Sequence, residues 1–477
     1  SQSTGEKRLP ERVSMRVFLE TRRALAALLL VSNLSSIALS HDGHKPTLAK
    51  PAEVYRPSLI PDRIILTWKS DPRTTQAVTW RTSTEVDHSI AQIAVANDGP
   101  IRIEDALQVE AKTESLKTDL NEANFHSAEF IDLRPATKYA YRVGDGANWS
   151  EWFHFTTAPS RHEPFSFVYF GDAQNDIKSL WSRVIREAYG DDPKARFMIH
   201  AGDLVNTPES DAEWGEWFYA GSFLHSSVTS VPVPGNHEIA KAADGGRRLT
   251  HHWKKQFTLP EHGPSGLEES CYTFEYGNTR IIGLNSNEQQ DEQAEWLNRV
   301  LAKNESKWII CTFHHPIFST AKDRDNEALR KSWKPILDTY RVDLVLTGHD
   351  HTYGRTGLDT PSSLPQTIGN APSGENRVDP TTGTVYVVSV SGPKMYALQP
   401  STVMKRVAED TQLYQIIRID GDELVYEAKT ATGKLYDSFK LRKRIGSINE
   451  LQEIQPEMEQ RTRPKVENKA TTEVGSK

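Results

Sequence analysis

Two patterns of apolar and polar positions divide the chain. Between residues 63 and 158 the runs are short and alternate with period two. Ile64-Ile65-Leu66-Thr67-Trp68, Gln76-Ala77-Val78-Thr79-Trp80 and Ile90-Ala91-Gln92-Ile93-Ala94-Val95 are rich in β-branched and aromatic residues, and turn signals such as Asn97-Asp98-Gly99-Pro100 separate them. Such runs predict half-buried strands. Leu133 to Tyr139, followed by Tyr141-Arg142-Val143, has the form of a tyrosine corner in a fibronectin- or Ig-like sandwich. The block 63–158 is therefore expected to be an all-β sandwich without chemistry of its own.

From Phe165 the pattern changes. Continuous apolar strands now alternate with stretches of helical period: strand 165–170, helix 177–188, strand 196–200, strand 231–233, helix 291–301, strand 308–313, helix 327–340 and strand 342–346. This alternation predicts a layered α/β domain over 159–442, its sheets completed by strands at 385–390, 413–419 and 424–429. The aromatic cluster Trp214, Trp217, Phe218 and Tyr219 falls on a predicted helix and is read as core. The Pro/Ser/Gly/Asn-rich stretch 357–379 is read as a loop near the site, 41–62 as a linker, and 443–477 as a disordered polar tail.

Composition narrows the function. The 477 residues exceed what one core usually serves. The net charge of −7 and the lack of a long basic block in the folded middle argue against nucleic acid as a partner. Near the start, Arg16, Arg22 and Arg23 precede the apolar run 24–31, and Ala38-Leu39-Ser40 offers small residues for cleavage before His41. Residues 1–40 thus read as a signal peptide, with a secreted or periplasmic mature protein that has no stable membrane span. Cys271 and Cys311 lie in strand-like runs and are read as buried free thiols.

The candidate chemistry sits at strand ends. Asp172, Asp203, Asn236 with His237, His314 with His315, and His349 with His351 each follow an apolar run, and most stand beside glycine. Loops at the carboxyl ends of strands converge in open α/β sheets, and carboxylate, amide and imidazole together suit Zn, Mn or Fe. A Gly-Asp at a strand end is usually only a turn; the repeated placement is what points to a metal site. His200 is read as a packed, hydrogen-bonded histidine, and Tyr353 as a packing residue.

Gly171-Asp172, Gly202-Asp203-x-x-Asn206, Gly235-Asn236-His237-Glu238, His314-x-Pro316 and Gly348-His349-x-His351 resemble the motifs of the calcineurin-like metallophosphoesterases, closest to the purple acid phosphatase branch. The resemblance covers about Arg63 to Leu441. It implies a sandwich of two mixed β-sheets flanked by helices, preceded by the fibronectin-type domain. It further implies two metal ions bridged by Asp203, with Asp172 and His351 on the first and Asn236, His314 and His349 on the second. The reaction implied is hydrolysis of small-molecule phosphate monoesters by a hydroxide drawn from water, with His237 orienting substrate and protonating the leaving oxygen. Two positions depart from the branch. Asn206 stands where it has a metal-binding tyrosine, and Gln174 where it usually has glycine and other members of the superfamily have a metal-binding histidine. Divalent Fe, Mn or Zn is expected in consequence, with Gln174 and Asn206 as possible ligands or neighbours of ligands. His315 is placed beside the ligands, and Arg324 is the candidate phosphate contact. The same site would serve diesters or nucleotide phosphoanhydrides, and a degenerate site would leave a binding or adhesion protein instead.

Overall fold

The structure is a computed structural model, and it describes residues 47–358, 383–444 and 447–464. The signal peptide expected at 1–40 and most of the loop expected at 357–379 lie outside these residues. After one helical turn at Pro51–Val54, eight strands follow: β1 (Asp62–Thr67), β2 (Gln76–Thr82), β3 (Ile90–Val95), β4 (Leu107–Glu110), β5 (Lys112–Lys117), β6 (Glu122–Phe130), β7 (Lys138–Gly144) and β8 (Phe153–Thr156). They form two four-stranded antiparallel sheets, ordered β1-β2-β6-β5 and β4-β3-β7-β8. Alternate side chains from both sheets, among them Leu66, Val78, Trp80, Ile93, Tyr141 and Phe155, make one apolar core. The Tyr139 hydroxyl accepts from Arg134 N at 2.8 Å, which closes the corner read from the sequence.

The second architecture is two seven-stranded mixed sheets. Its strands are β9 (Phe165–Phe170), β10 (Phe197–Ala201), β11 (Thr229–Val233), β12 (Ile239–Lys241), β13 (Arg247–Leu249), β14 (Tyr272–Tyr276), β15 (Thr279–Gly283), β16 (Trp308–Thr312), β17 (Leu344–Thr347), β18 (Tyr353–Thr356), β19 (Val385–Val388), β20 (Met404–Ala408), β21 (Leu413–Asp420), β22 (Glu423–Thr430), β23 (Leu435–Arg442) and β24 (Glu450–Ile454). One sheet runs β11-β10-β9-β21-β22-β23-β24, and the other β14-β15-β16-β17-β19-β18-β20; β12 and β13 form a separate hairpin. Within them β9, β10 and β11 are parallel, as are β15, β16, β17 and β19. Their apolar inner faces share one core, with Phe167, Ile199, Ile281, Ile310, Leu346 and Ile417 among its residues. The helices are α1 (Ser182–Asp191), α2 (Asp211–Gly221), α3 (Trp253–Gln256), α4 (Gln290–Ala302) and α5 (Glu327–Thr339). On the far side of the second sheet, α4 and α5 bury Leu297, Leu301, Trp333 and Leu337 in a smaller core.

Several readings are corrected. Residues 443–477 are not wholly a disordered tail, because β24 pairs antiparallel with β23. Its sequence Glu-Leu-Gln-Glu-Ile leaves most side chains exposed, so backbone pairing rather than apolar burial makes the strand. Tyr219 is 54% exposed, whereas Trp214, Trp217 and Phe218 are buried. It points outward from α2, where Lys178 lies 4.5 Å over its ring. His200 is buried against Phe170 and Trp217 as expected, but neither ring nitrogen has a hydrogen-bond partner among the described residues. Burial keeps that ring neutral by lowering its pKa well below the usual value. Cys271 and Cys311 are buried free thiols, and Tyr353 is packed, its hydroxyl donating to Asp437 at 2.6 Å.

Tyr139→Phe keeps the ring but strands the Arg134 amide, at an expected cost of about 1–2 kcal/mol. Denaturant unfolding followed by tryptophan fluorescence should show the sandwich transition at lower denaturant; an unchanged midpoint refutes the corner's contribution.

Candidate metal centre

Every predicted ligand leaves the carboxyl end of a parallel strand. Asp172 follows β9, Asp203 follows β10, Asn236 and His237 follow β11, His314 follows β16, and His349 and His351 follow β17. The first three strands belong to one sheet and the last two to the other, so the loops meet over the gap between the sheets. Close approach needs the glycines. A Cβ on Gly202 would stand 2.6 Å from His314 Nδ1, and one on Gly235 or Gly348 would overlap the carboxylate of Asp203 or Asp172. Asp203, His349 and His351 themselves take positive φ values of 51°, 76° and 50°. This left-handed backbone is unfavourable for such residues and persists where surrounding contacts enforce it.

The side chains do converge. His314 Nε2 lies 3.2 Å from Asp203 Oδ2 and 3.1 Å from Asn236 Oδ1. His349 Nδ1 lies 2.9 Å from the same Asn236 oxygen and 3.1 Å from His314 Nε2. On the other side, His351 Nε2 is 3.2 Å from Asp172 Oδ2. Two clusters result, Asp203-His314-His349 and Asp172-Asp203-His351, each with one donor atom per residue within 4.8 Å of the others. Asp203 is common to both.

Local bonds fix which atoms face inward. His314 Nδ1 is 2.9 Å from the Ala201 carbonyl, and His351 Nδ1 is 2.9 Å from the Lys394 carbonyl. A carbonyl only accepts, so each Nδ1 is the donor and each Nε2 is the atom turned into the centre. The His349 amide donates to Asp172 Oδ1 at 2.8 Å, and the His237 amide to Asp203 Oδ1 at 2.9 Å. Two buried oxygens, Asp172 Oδ2 and Gln174 Oε1, have no hydrogen-bond partner among the described residues. Crowded lone pairs and unpartnered oxygens are repulsive unless a cation lies among them, and N/O donors of this kind suit a divalent transition metal. The residues present therefore fit a metal pair.

Protonation follows the same crowding. Burial pushes the Asp172 carboxyl up to about 7, with Asp203 adding and His314 opposing. Burial also pushes Asp203 up, but the His314 charge and hydrogen bond outweigh it and hold the group well below the carboxylate range. For His314 burial disfavours charge, yet Asp203 and then Asp172 raise it to about 9. A proton thus occupies the centre when no metal does. Burial lowers His349 and His351, the latter to about 3, so both already present neutral rings.

The remaining expected residues are placed as follows. His237 is half-buried, its Nε2 4.0 Å from Asp203 Oδ2 and its Nδ1 2.5 Å from the Asn206 carbonyl. Asn206 meets the site through that carbonyl rather than its side chain. Gln174 Nε2 donates to Asp203 Oδ2 at 2.7 Å and lies 3.4 Å from His351 Nε2. His315 lies behind the ligands, its Nδ1 2.8 Å from Ser286 Oγ and its ring 4.3 Å from that of His349. Arg324 donates to the His349 carbonyl at 2.9 Å and lies over Tyr396, which ties it to the loop of His349.

Sequence reading gave no role to Glu238 or Asp350. The buried Glu238 carboxyl accepts from the amides of Gly235 at 2.7 Å, Leu204 at 2.8 Å and Asp203 at 2.9 Å, tying the loops of Asp203 and Asn236 together. Asp350, between His349 and His351, accepts from the amides of Thr320 and Ala321 at 2.6 and 3.2 Å. Their position beside ligands in the chain was the available signal.

Two families of known proteins match in series. "Purple acid Phosphatase, N-terminal domain" matches residues 61–157, and "Calcineurin-like phosphoesterase" matches residues 165–353. The uncharacterized protein Rv2577 of Mycobacterium tuberculosis is 27% identical over 365 residues, 67% of each chain. Purple acid phosphatase 15 of Arabidopsis thaliana is 26% identical over 264 residues, 48% of this chain and 49% of that one. A third relative, from the same plant, is named a probable inactive purple acid phosphatase; it is 24% identical over 67% of this chain and 57% of its own. Among solved structures, purple acid phosphatase PPD1 from yellow lupin (Lupinus luteus) seeds shares the fold with a TM-score of 0.68 at 18% identity, over 81% of this chain and 75% of that one.

Metal uptake should release protons, because Asp172 at about 7 and His314 at about 9 must both deprotonate to ligate. At pH 6 both groups hold protons in the metal-free protein, so affinity should fall as pH drops from 8 to 6. Calorimetry of Zn²⁺ or Mn²⁺ binding in buffers of different ionisation enthalpy should give release of about one to two protons at pH 6.5; none released refutes the assignment.

Proposed function

Because the chain joins a purple acid phosphatase N-terminal domain to a calcineurin-like phosphoesterase domain, we propose that it is an exported hydrolase of small-molecule phosphate monoesters with two divalent metal ions. The observation that carries this reading is the shared carboxylate of Asp203 between two clusters of inward-facing donors. Asp172, His351 and Asp203 would hold one ion, with Gln174 as further donor. Asn236, His314, His349 and Asp203 would hold the other. Gln174 presents its amide nitrogen to Asp203, its oxygen has no partner among the described residues, and rotation of the amide by half a turn exchanges the two. Fe, Mn or Zn suits the donor set, and the absence of a tyrosine at Asn206 disfavours a ferric phenolate. Two such ions would acidify a water and stabilise both oxygens of an in-line displacement at phosphorus.

The chain's own residues do the rest. His237 stands at the half-buried edge of the centre, where a phosphate ester would enter. Its Nε2, 4.0 Å from Asp203 Oδ2, faces the centre, and in the doubly protonated ring it would donate to a phosphoryl oxygen and give its proton to the departing alcohol, leaving the neutral Nδ1–H ring. Arg324 holds the His349 loop in register and adds positive potential near the mouth. Glu238 keeps the Asp203 and Asn236 loops at fixed separation, so that ligands need not reorganise as charge develops. Export rests on the sequence pattern of residues 1–40. Among the described residues no helix is long and apolar enough to cross a membrane.

Purified protein should release phosphate from 4-nitrophenyl phosphate faster than it cleaves bis(4-nitrophenyl) phosphate, and a chelator should abolish both. Asp203→Asn and His349→Ala should each lower kcat by about 1,000-fold or more, with less bound metal by elemental analysis. Faster cleavage of the diester moves the substrate class to diesters. A metal-loaded protein that cleaves neither ester refutes the enzyme reading.

A further inference from the structure

His237 is not held by its own loop alone. The Asn206 carbonyl, which only accepts, receives a hydrogen bond from the His237 Nδ1–H at 2.5 Å. That leaves Nε2 as the atom facing the centre. The Asn206 peptide is in turn pinned from α2, since Glu213 Oε2 accepts from the amides of Asn206 at 2.6 Å and Thr207 at 2.8 Å. Glu213 is the third residue of α2, and its own amide donates to the capping Ser210 Oγ. An acidic residue here commonly reaches back to the cap residue's amide. This one extends further, to the loop that carries Asn206.

The start of α2 is fixed from the other domain. Asp211, its first residue, is fully buried, and its Oδ1 meets Arg63 of β1 at 2.6 Å. Its Oδ2 meets Arg81 of β2 at 3.3 Å, and Arg81 also holds Asp62 at 2.6 Å. The Asp211 amide donates to Asp119 Oδ1 at 2.8 Å. Both arginines are almost wholly buried, as is Asp211. Displacement of Asp211 would leave buried charges without partners, which is costly. The β-sandwich thus grips the helix that grips the loop that aims the imidazole.

We propose that Glu213 is a positioning residue for His237, and that the β-sandwich acts on the centre through Arg63 and Arg81 on Asp211. This rests on the phosphatase reading, in which His237 contacts substrate. Constellations of this kind lose efficiency when a group strays by about 0.5 Å or 10–20°. The proposal therefore concerns the direction in which Nε2 points, and proton delivery to the departing oxygen is the step most exposed to it. That step matters more for alkyl than for 4-nitrophenyl leaving groups, because an alkoxide is the stronger base.

The test uses the full chain, zinc-loaded, with Glu213→Leu, Glu213→Gln and Asp211→Asn. Glu213→Leu should lower kcat on an alkyl phosphate by about 10-fold and on 4-nitrophenyl phosphate by less than about 3-fold. Its KM should stay near wild type, while its thermal midpoint should fall, because the Asn206 and Thr207 amides lose their acceptor. Glu213→Gln retains an acceptor oxygen and should recover part of the loss. Asp211→Asn should reproduce the leaving-group pattern. At a pH where the ring is neutral, ¹⁵N spectra of labelled histidine should show His237 as the Nδ1–H tautomer in wild type and as a mixture in Glu213→Leu. Equal loss on both esters, or an unchanged tautomer in Glu213→Leu, overturns the role of Glu213. A lower thermal midpoint without the leaving-group pattern in Asp211→Asn overturns the sandwich's part. If wild type cleaves neither ester, the phosphatase reading fails separately, and the tautomer comparison alone decides the positioning.

Discussion

Asp203 is the constraint on which the rest of the structure turns. One carboxylate has to face donors from both sheets, so the ends of β10, β11, β16 and β17 have to meet within a few ångströms. That requirement explains the left-handed backbone at Asp203 itself, the glycines that leave room for the acids, and the buried Glu238 that holds two loops by their amides. None of these features is favourable by itself. Each is sustained by the two apolar cores beneath, whose packing fixes the strand ends.

The electrostatics have the same origin. Buried carboxylates and imidazole lone pairs repel, and the metal-free protein relieves this by retaining protons on His314 and Asp172. A divalent ion relieves it better, because one charge centre satisfies several donors at once. The centre is asymmetric. The cluster with Asn236, His314 and His349 offers an amide and two imidazoles besides Asp203, while the other relies on Asp172, His351 and the amide of Gln174. Gln174 therefore governs how alike the two halves can be.

Much of the centre was legible because metal-ligand residue types recur where apolar runs stop, and strand ends are where α/β folds collect chemistry. Both β architectures were legible from their periods. What escaped detection depends on partners far along the chain. Beside β9 stands β21, antiparallel and some 250 residues later, and no local pattern announces that pairing. Glu238 stood within a recognised motif, yet nothing in one dimension says that its oxygens gather amides from another loop. Tyr219 shares the aromatic run of its neighbours but occupies the outward side of α2. In β24 the strand is made by backbone pairing, which apolar patterning does not register.

That last strand has a consequence for how molecules meet. A sheet whose outermost strand is smooth and apolar invites a neighbour to zip onto it, and many chains polymerise that way. Here the margin beyond β23 carries Glu450, Gln452 and Glu453, with Glu450 paired to Arg444 at 2.6 Å and Glu453 to Arg355 at 3.3 Å, so this strand presents charged pairs rather than an apolar row. Among the described residues this charged selvedge is the seventh and last strand of the sheet, and ionic side chains there make it a poor template for lateral stacking of copies.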